Sequence, residues 1–283
     1  MTNIIACIDG SVLSENVTKA SVWAAKQMYC PLTLLHSLEK EAIRTDEDLS
    51  GSIGFGSREH LLDELVSLDV QRAKLALEHG KLVLENAKAF ALKAGARQIE
   101  LLQRHGDLVE TLADLEEETR LIVIGRLGIN HAMDARTIGS HIERVARTSH
   151  KPILISVDEF KAPKNFMIAY DGREAADNAI ARIAQSSLLL GLPCHLVMAG
   201  EDTKERRAKL EEAQNILEEE GFEVTSVIQP GKIYPVLTQY RKDHNIELMA
   251  MGAYAHSKVR QFFVGSNTTK MIIESDIPLL ILR

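Results

Sequence analysis

Two stretches of this chain join an apolar, strand-like run to a glycine exit and a later Gly-Ser turn, a combination that can hold a phosphate. Leu248 to Thr269 reads LMAMGAYAHSKVRQFFVGSNTT, and Leu121 to Ser140 reads LIVIGRLGINHAMDARTIGS. Each apolar run stops at a glycine, Gly252 or Gly125, and crosses a basic loop. It then reaches Gly265-Ser266-Asn267 or Gly139-Ser140-His141. Glycine lets backbone approach an anion, and the free N–H groups of a following first helical turn point at it. A Gly-Ser pair before a helix also serves as an ordinary N-cap, but the upstream glycine favours the phosphate reading. Asp9-Gly10 and Asp171-Gly172 close two further apolar runs, Asn3 to Ile8 and Asn165 to Tyr170. Asp-Gly is a common turn pair, yet its recurrence at matching places favours ligand contact.

Other reactive side chains form no such pattern. Lys258 and Arg260, with Arg126 and Arg136 in the earlier stretch, are loop bases that could neutralise phosphate. His36, His105, His131, His141 and His150 fit no compact set of metal ligands, so no metal site is expected. No Gly-x-Ser-x-Gly elbow, nucleophile–base pair or readable carboxylate pair occurs, so no catalytic residue is assigned. An enzyme is not expected from these residues. The segment Ser50 to Gly56 is glycine-rich but lacks a strand before it and a helix start after it. It reads as a mobile loop or lid rather than a dinucleotide fingerprint.

The elements that must position these turns repeat. Strands are expected at Asn3 to Ile8, Pro31 to Ser37, Ile99 to Gln103, Leu121 to Ile124 and Lys151 to Val157. They recur at Asn165 to Tyr170, Cys194 to Ala199, Glu223 to Gln229, Glu247 to Met251 and Ile277 to Leu282. Helical spacing marks Ser14 to Met28, with Ser14 a candidate cap, and Asp107 to Glu118. It also marks Arg58 to Ala94, where Gly80 is a candidate break and Gly95 a stop. Asp9 and Asp171 stand 162 positions apart, whereas Gly106 and Gly231 stand 125 apart. The first copy therefore carries an insertion of about 36 residues, placed at about 45–80 and made of the glycine-rich segment and a lengthened helix. The polar, proline-bearing stretch Glu159 to Lys164 sets the boundary, giving domains 1–158 and 159–283. Strands alternating with helices imply parallel sheets covered on both faces, with ligands outside the carboxyl ends of the strands.

Composition narrows the function. The 283 residues carry a formal charge of −7, against a nucleic-acid backbone partner. The cysteines Cys7, Cys30 and Cys194 match no disulfide or metal spacing, and the N-terminus shows no basic leader. No apolar run approaches bilayer length, so a cytoplasmic protein without membrane contact is expected.

At the glycine and Asp turns the chain resembles the universal stress protein family in its tandem form. That family's nucleotide-binding members show a glycine, two residues, a second glycine, nine residues, then glycine with Ser or Thr. In the second copy Ala255 replaces the second glycine, and nine residues separate it from Gly265. In the first, Gly125 and Gly128 are both present, but ten residues precede Gly139, and His141 stands where the second copy has Asn267. The resemblance implies an α/β fold of two Rossmann-like (adenine nucleotide α-hydrolase-like) domains, each a five-stranded parallel sheet with helices on both faces. It implies that Asp171 contacts a ribose, that Gly252 lies beside the sugar, and that Gly265, Ser266 and Asn267 hold phosphates. In the first copy Asp9, Gly125, Gly139, Ser140 and His141 take those parts. The ligand implied is ATP or a related adenine nucleotide, with Mg²⁺ as a candidate companion, in a stress-response sensor or regulator. The fifth strands are expected to pair edge to edge as an internal pseudo-dimer, with a further homodimer conceivable. Two alternatives stand beside this reading. One is a binding module in which the insertion opens an apolar pocket for a lipid-like ligand; the other is a slow nucleotide hydrolase.

Overall fold

A computed structural model describes residues 2–38, 55–126, 140–157, 159–252 and 266–283, with backbone alone for 55–63, 140, 141, 266 and 267. The first half runs β1 (Asn3–Cys7), α1 (Ser14–Met28), β2 (Leu32–Leu38), α2 (Phe55–Lys93) and β3 (Ile99–His105). It continues with α3 (Leu108–Asp114), β4 (Thr119–Gly125), α4 (Ser140–Thr148) and β5 (Ile153–Ser156). The second runs β6 (Phe166–Ala169), α5 (Glu174–Ala184), β7 (Cys194–Ala199), α6 (Lys204–Glu219) and β8 (Val224–Gln229). It closes with α7 (Ile233–Asp243), β9 (Met249–Gly252), α8 (Ser266–Glu274) and β10 (Leu279–Leu282).

The strands form a single sheet in the order β3-β2-β1-β4-β5-β10-β9-β6-β7-β8. Every neighbouring pair is parallel except β5 with β10, where Leu280 faces Leu154 in an antiparallel seam. Each half thus repeats one strand order, mirrored about the seam, as the repeated sequence pattern and the expected edge pairing require. Central strands are buried on both faces, which explains their near-continuous apolar sequences. Helices α1, α2, α5 and α6 cover one face, around Val17, Leu84, Ile180 and Leu210. Helices α3, α4, α7 and α8 cover the other, around Leu112, Val145, Leu237 and Ile272.

Part of the expected extra length of the first half takes the form of a helix. Its α2 has 39 residues, against 16 in α6. Both helices end in the same way: Gly95 and Gly221 adopt φ +88°, and the next residue's N–H closes back onto Ala91 or Leu217. Matching those ends puts the surplus at the start of α2, about 35 Å of helix at 1.5 Å per residue. Within that surplus Leu65, Val66, Leu68, Val70 and Leu75 are exposed.

Two expectations are corrected. Gly80 does not divide α2, which runs unbroken; a Cβ there would sit 2.3 Å from the Gln103 amide nitrogen and 2.7 Å from the His36 ring. That glycine is a contact point, where helix meets strand side chains. Ser14 does not cap α1, whose N-cap is Leu13; its hydroxyl instead donates to Asp9 at 3.0 Å and accepts from the Gly10 N–H. The stretch after β5 packs on the first half: Phe160 is buried, tilts against Trp23 at 5.8 Å, and its N–H donates to Asn16. The glycine-rich part of the insertion before Phe55 lies outside the described residues.

Candidate functional site

The two Asp-Gly turns are built alike. Asp9 follows β1 and accepts from the Ser11 N–H at 2.9 Å; Asp171 follows β6 and accepts from the Arg173 N–H at 3.0 Å. Both following glycines have positive φ, +81° at Gly10 and +70° at Gly172, a conformation that side-chain-bearing residues adopt at a cost. These bonds supply the ordinary turn role of an Asx pair. They also leave the carboxylates at the carboxyl edge of the sheet, where Asp171 is about half exposed.

The strand register brings the predicted partners together. β1 lies beside β4, so Asp9 and Gly125 end neighbouring strands; β6 lies beside β9, so Asp171 and Gly252 do the same. Neighbouring strands sit about 4.8 Å apart, and each pair flanks the point where strand order reverses. Because β5 and β10 are antiparallel, the two carboxyl edges open at opposite ends of the molecule. Helices α4 and α8 begin at Ser140 and Ser266, where the phosphate turns were expected to meet a helix start. Gly128, Gly139, Ala255 and Gly265 lie outside the described residues, as do His131, Arg136, Lys258 and Arg260. The side chains of Ser140, His141, Ser266 and Asn267 lie outside them too.

Gly252 has a structural reason of its own. A Cβ there would fall 2.2 Å from the Ala175 carbonyl oxygen, in the first turn of α5. Backbone approaches backbone at this point, whatever else the glycine does. Arg126, one of the loop bases that could neutralise phosphate, has partners in the other half. Its guanidinium donates to the Ile273 carbonyl at 3.2 Å and the Ser275 carbonyl at 2.6 Å, at the far end of α8.

Sequence reasoning missed three bases on the second edge. Lys209 of α6 donates to the Gly172 carbonyl at 2.5 Å, and Arg206 donates to the Glu201 carbonyl at 3.1 Å. Arg173 sets its Nε 3.8 Å from Asp171. Their sequence signal, Arg-x-x-Lys near a helix start, is an ordinary exposed-face pattern. It gains meaning only when β6 and β7 place two turns beneath it. Among the described residues, the buried thiols near the edges are not poised as nucleophiles. Burial, then the Asp9 charge, pushes the Cys7 thiol up to about 12, so it stays protonated at neutral pH. Burial also pushes Cys194 up to about 12. Tyr170 is raised by burial and by its 2.6 Å hydrogen bond to the Asp177 carboxylate.

Comparison with known proteins supplies the context of this site. A family model described as the universal stress protein family matches residues 1–156 and again 163–283. The chain is similar to a universal stress protein of Synechocystis sp., 32% identical over 287 residues and covering 100% of both chains. It is similar to a universal stress protein of Methanocaldococcus jannaschii, 26% identical over 81 residues, 29% of this chain and 50% of that one. Among solved structures, a universal stress protein from Archaeoglobus fulgidus has the same fold at 21% identity. It aligns with a TM-score of 0.74 over 99% of this chain and 98% of that one. No helix among the described residues is long and apolar enough to cross a membrane.

Proposed function

Because the chain belongs to the universal stress protein family, we propose that it binds ATP or a related adenine nucleotide at the carboxyl edge of its second half. It then acts as a cytoplasmic stress-response sensor or regulator rather than a fast enzyme. One observation carries this reading: Asp171 and Gly252 end adjacent parallel strands at the point of strand-order reversal, and α8 starts at Ser266 after the loop that leaves Gly252. A carboxylate for ribose hydroxyls and helix-start N–H groups for phosphates then serve a single crevice. In this proposal Asp171 holds the ribose, Gly252 lies beside it, and Gly265, Ser266 and Asn267 hold the phosphates, with Mg²⁺ as companion. The proposal also divides the chain into units 1–158 and 159–283.

The second half is preferred because its spacer has the family's nine residues and small side chains follow it. The first has an extra spacer residue and His141. Against it stands the methyl of Ala255, with a cost of about 1–3 kcal/mol where it crowds the ligand. That is roughly one to two orders of magnitude in affinity, so binding stays measurable. Titration calorimetry with ATP tests the choice. Gly265→Val is expected to abolish binding and Gly139→Val to leave most of it. The reverse pattern moves the site to the first half, and no binding by the unmutated protein refutes the nucleotide reading.

The lipid-like alternative keeps one supporting observation, the exposed row Leu65, Leu68 and Leu75 above the first edge, at 48%, 49% and 65% exposure. A rise in melting temperature with a long-chain fatty acid, absent with ATP, would favour it.

A further inference from the structure

The second half carries a basic side chain at three positions around its Asp-Gly turn where the first half has none. Two nearby positions change the other way, with Glu174 for Val12 and Glu205 for His79. The matched ends of α2 and α6 pair Arg206 with Gly80 and Lys209 with Val83. Contacts confirm the pairing: a Cβ on Gly10 would meet Val83 at 3.0 Å, and one on Gly172 would meet Lys209 at 2.8 Å. Counting from the two aspartates pairs Arg173 with Ser11. Where the first edge has Ser11, Gly80 and Val83, the second has Arg173, Arg206 and Lys209.

These bases have a defined place. The Arg206 guanidinium fills the space above Gly200, at the end of β7; a Cβ on that glycine would overlap its Nη1. Lys209 lies over Gly172, just past β6, and Arg173 projects beside Asp171 with 84% of its side chain exposed. Among the described residues, Arg206 and Lys209 donate to backbone carbonyls and reach no carboxylate within ion-pair distance. Two neighbouring acids are engaged elsewhere: Asp202 is paired with Arg207, and Asp177 accepts from the Tyr170 hydroxyl. Across the edge the order is Gly252 on β9, then Asp171 after β6, then Gly200 after β7. The bases therefore stand on the side of Asp171 away from β9, whose loop leads to α8. Two strand spacings separate β9 from β7, on the order of 10 Å, about the span of a nucleotide with phosphate on both sides of its sugar.

We propose that Arg173, Arg206 and Lys209 form a subsite for a phosphate on the ribose, so that the preferred ligand carries phosphate at its 2′ or 3′ hydroxyl as well as at its 5′ end. The proposal rests on the nucleotide reading above. Its chemistry has a parallel in dinucleotide sites, where an acid at the carboxyl edge of the sheet reads free ribose hydroxyls and a nearby Arg accommodates a phosphate on the same sugar. Arg206 supplies a planar fork for phosphate oxygens and Lys209 a compact charge. The first half, lacking all three, has no such preference.

Calorimetry on the full chain with 5′-AMP, adenosine 3′,5′-bisphosphate and adenosine 2′,5′-bisphosphate tests this. One bisphosphate is expected to bind at least tenfold tighter than 5′-AMP, with an advantage that shrinks as salt rises. In Lys209→Met, and further in Arg206→Met/Lys209→Met, the ratio of bisphosphate to 5′-AMP affinity is expected to fall towards one. These positions lie on the surface of α6, so the fold is not at stake. Equal affinities in the unmutated protein, or a ratio unchanged in the double variant, overturn the subsite and leave nucleotide binding standing. Failure of 5′-AMP, both bisphosphates and ATP to bind overturns the nucleotide reading itself.

Discussion

Asp107 connects two elements through one carboxylate. It precedes α3 and accepts from the Val109 and Glu110 N–H groups at 2.8 and 3.2 Å, while Arg144 of α4 donates to its other oxygen at 2.6 Å. Burial alone would raise this carboxyl, but the Arg144 bond and the two amides outweigh it and hold it below the usual value. A lowered folded pKa stabilises above the unfolded value of about 3.9, and that stability is lost as pH falls through the folded pKa. Asp107→Ala is expected to cost about 1–2 kcal/mol near neutrality, mostly as a lost cap, since Arg144 is half exposed. Urea unfolding at pH 7 and pH 3 should show the deficit shrinking at the lower pH; an equal deficit at both would refute the charge-based part. At this scale the sequence was readable where residue type dictates backbone geometry, as at Asp9-Gly10 and Asp171-Gly172. It was unreadable at Arg206 and Lys209, whose meaning depends on two turns, one at Gly200 and one at Gly172, the second more than 30 positions earlier in the chain.

Elements were legible in type and misread in detail. The ten strands follow from their apolar runs, and the long helical pattern after residue 58 did form one helix. Gly80 misled because glycine weakens a helix locally, whereas here it permits the close approach of His36 and Gln103. Arg126 misled for a related reason, since a base one residue past a glycine exit resembles a phosphate ligand. In the fold it reaches across the seam to the C-terminal carbonyls of α8, and Arg283 answers it. The Arg283 guanidinium donates to the carbonyls of Arg147 and Ser149 at the end of α4, at 2.8 and 3.1 Å. Each half thus sends one arginine to the last helix of the other, where a cation also meets the negative end of the helix dipole. Arg126→Met is expected to lower stability by about 1.5–3 kcal/mol, the range for hydrogen bonds to a charged group. Arg126→Lys should recover less than half, because both bonds come from the guanidinium Nη1 and the more strongly hydrated ammonium costs more to bring to the same place. Full recovery by Lys in thermal unfolding would show that charge alone matters.

The whole molecule behaves as a consequence of its seam. Parallel β4-β5 and β9-β10 meet through three facing pairs, Leu279 with Ile155, Leu280 with Leu154 and Ile281 with Ile153. That contact removes two strand edges that would otherwise invite aggregation. It also turns the two candidate sites to opposite ends, so neither ligand edge can borrow residues directly from the other. The apolar packing does not stop at the seam: Leu154 and Leu280 belong to one buried cluster with Val17 of α1 and Ile180 of α5. Phe160 extends the cluster from the connection between halves onto Trp23. A continuous core of this kind predicts one cooperative transition rather than two. The single tryptophan, Trp23, reports on the first half, while far-UV circular dichroism reports on both. In urea the two signals should share a midpoint. Leu280→Ala, a deletion in the second half at a position 2% exposed, should lower stability by about 2–5 kcal/mol and move both midpoints together. A Trp23 midpoint that stays fixed while the dichroism splits into two steps would show that the halves unfold independently and that the seam is only an adhesive edge.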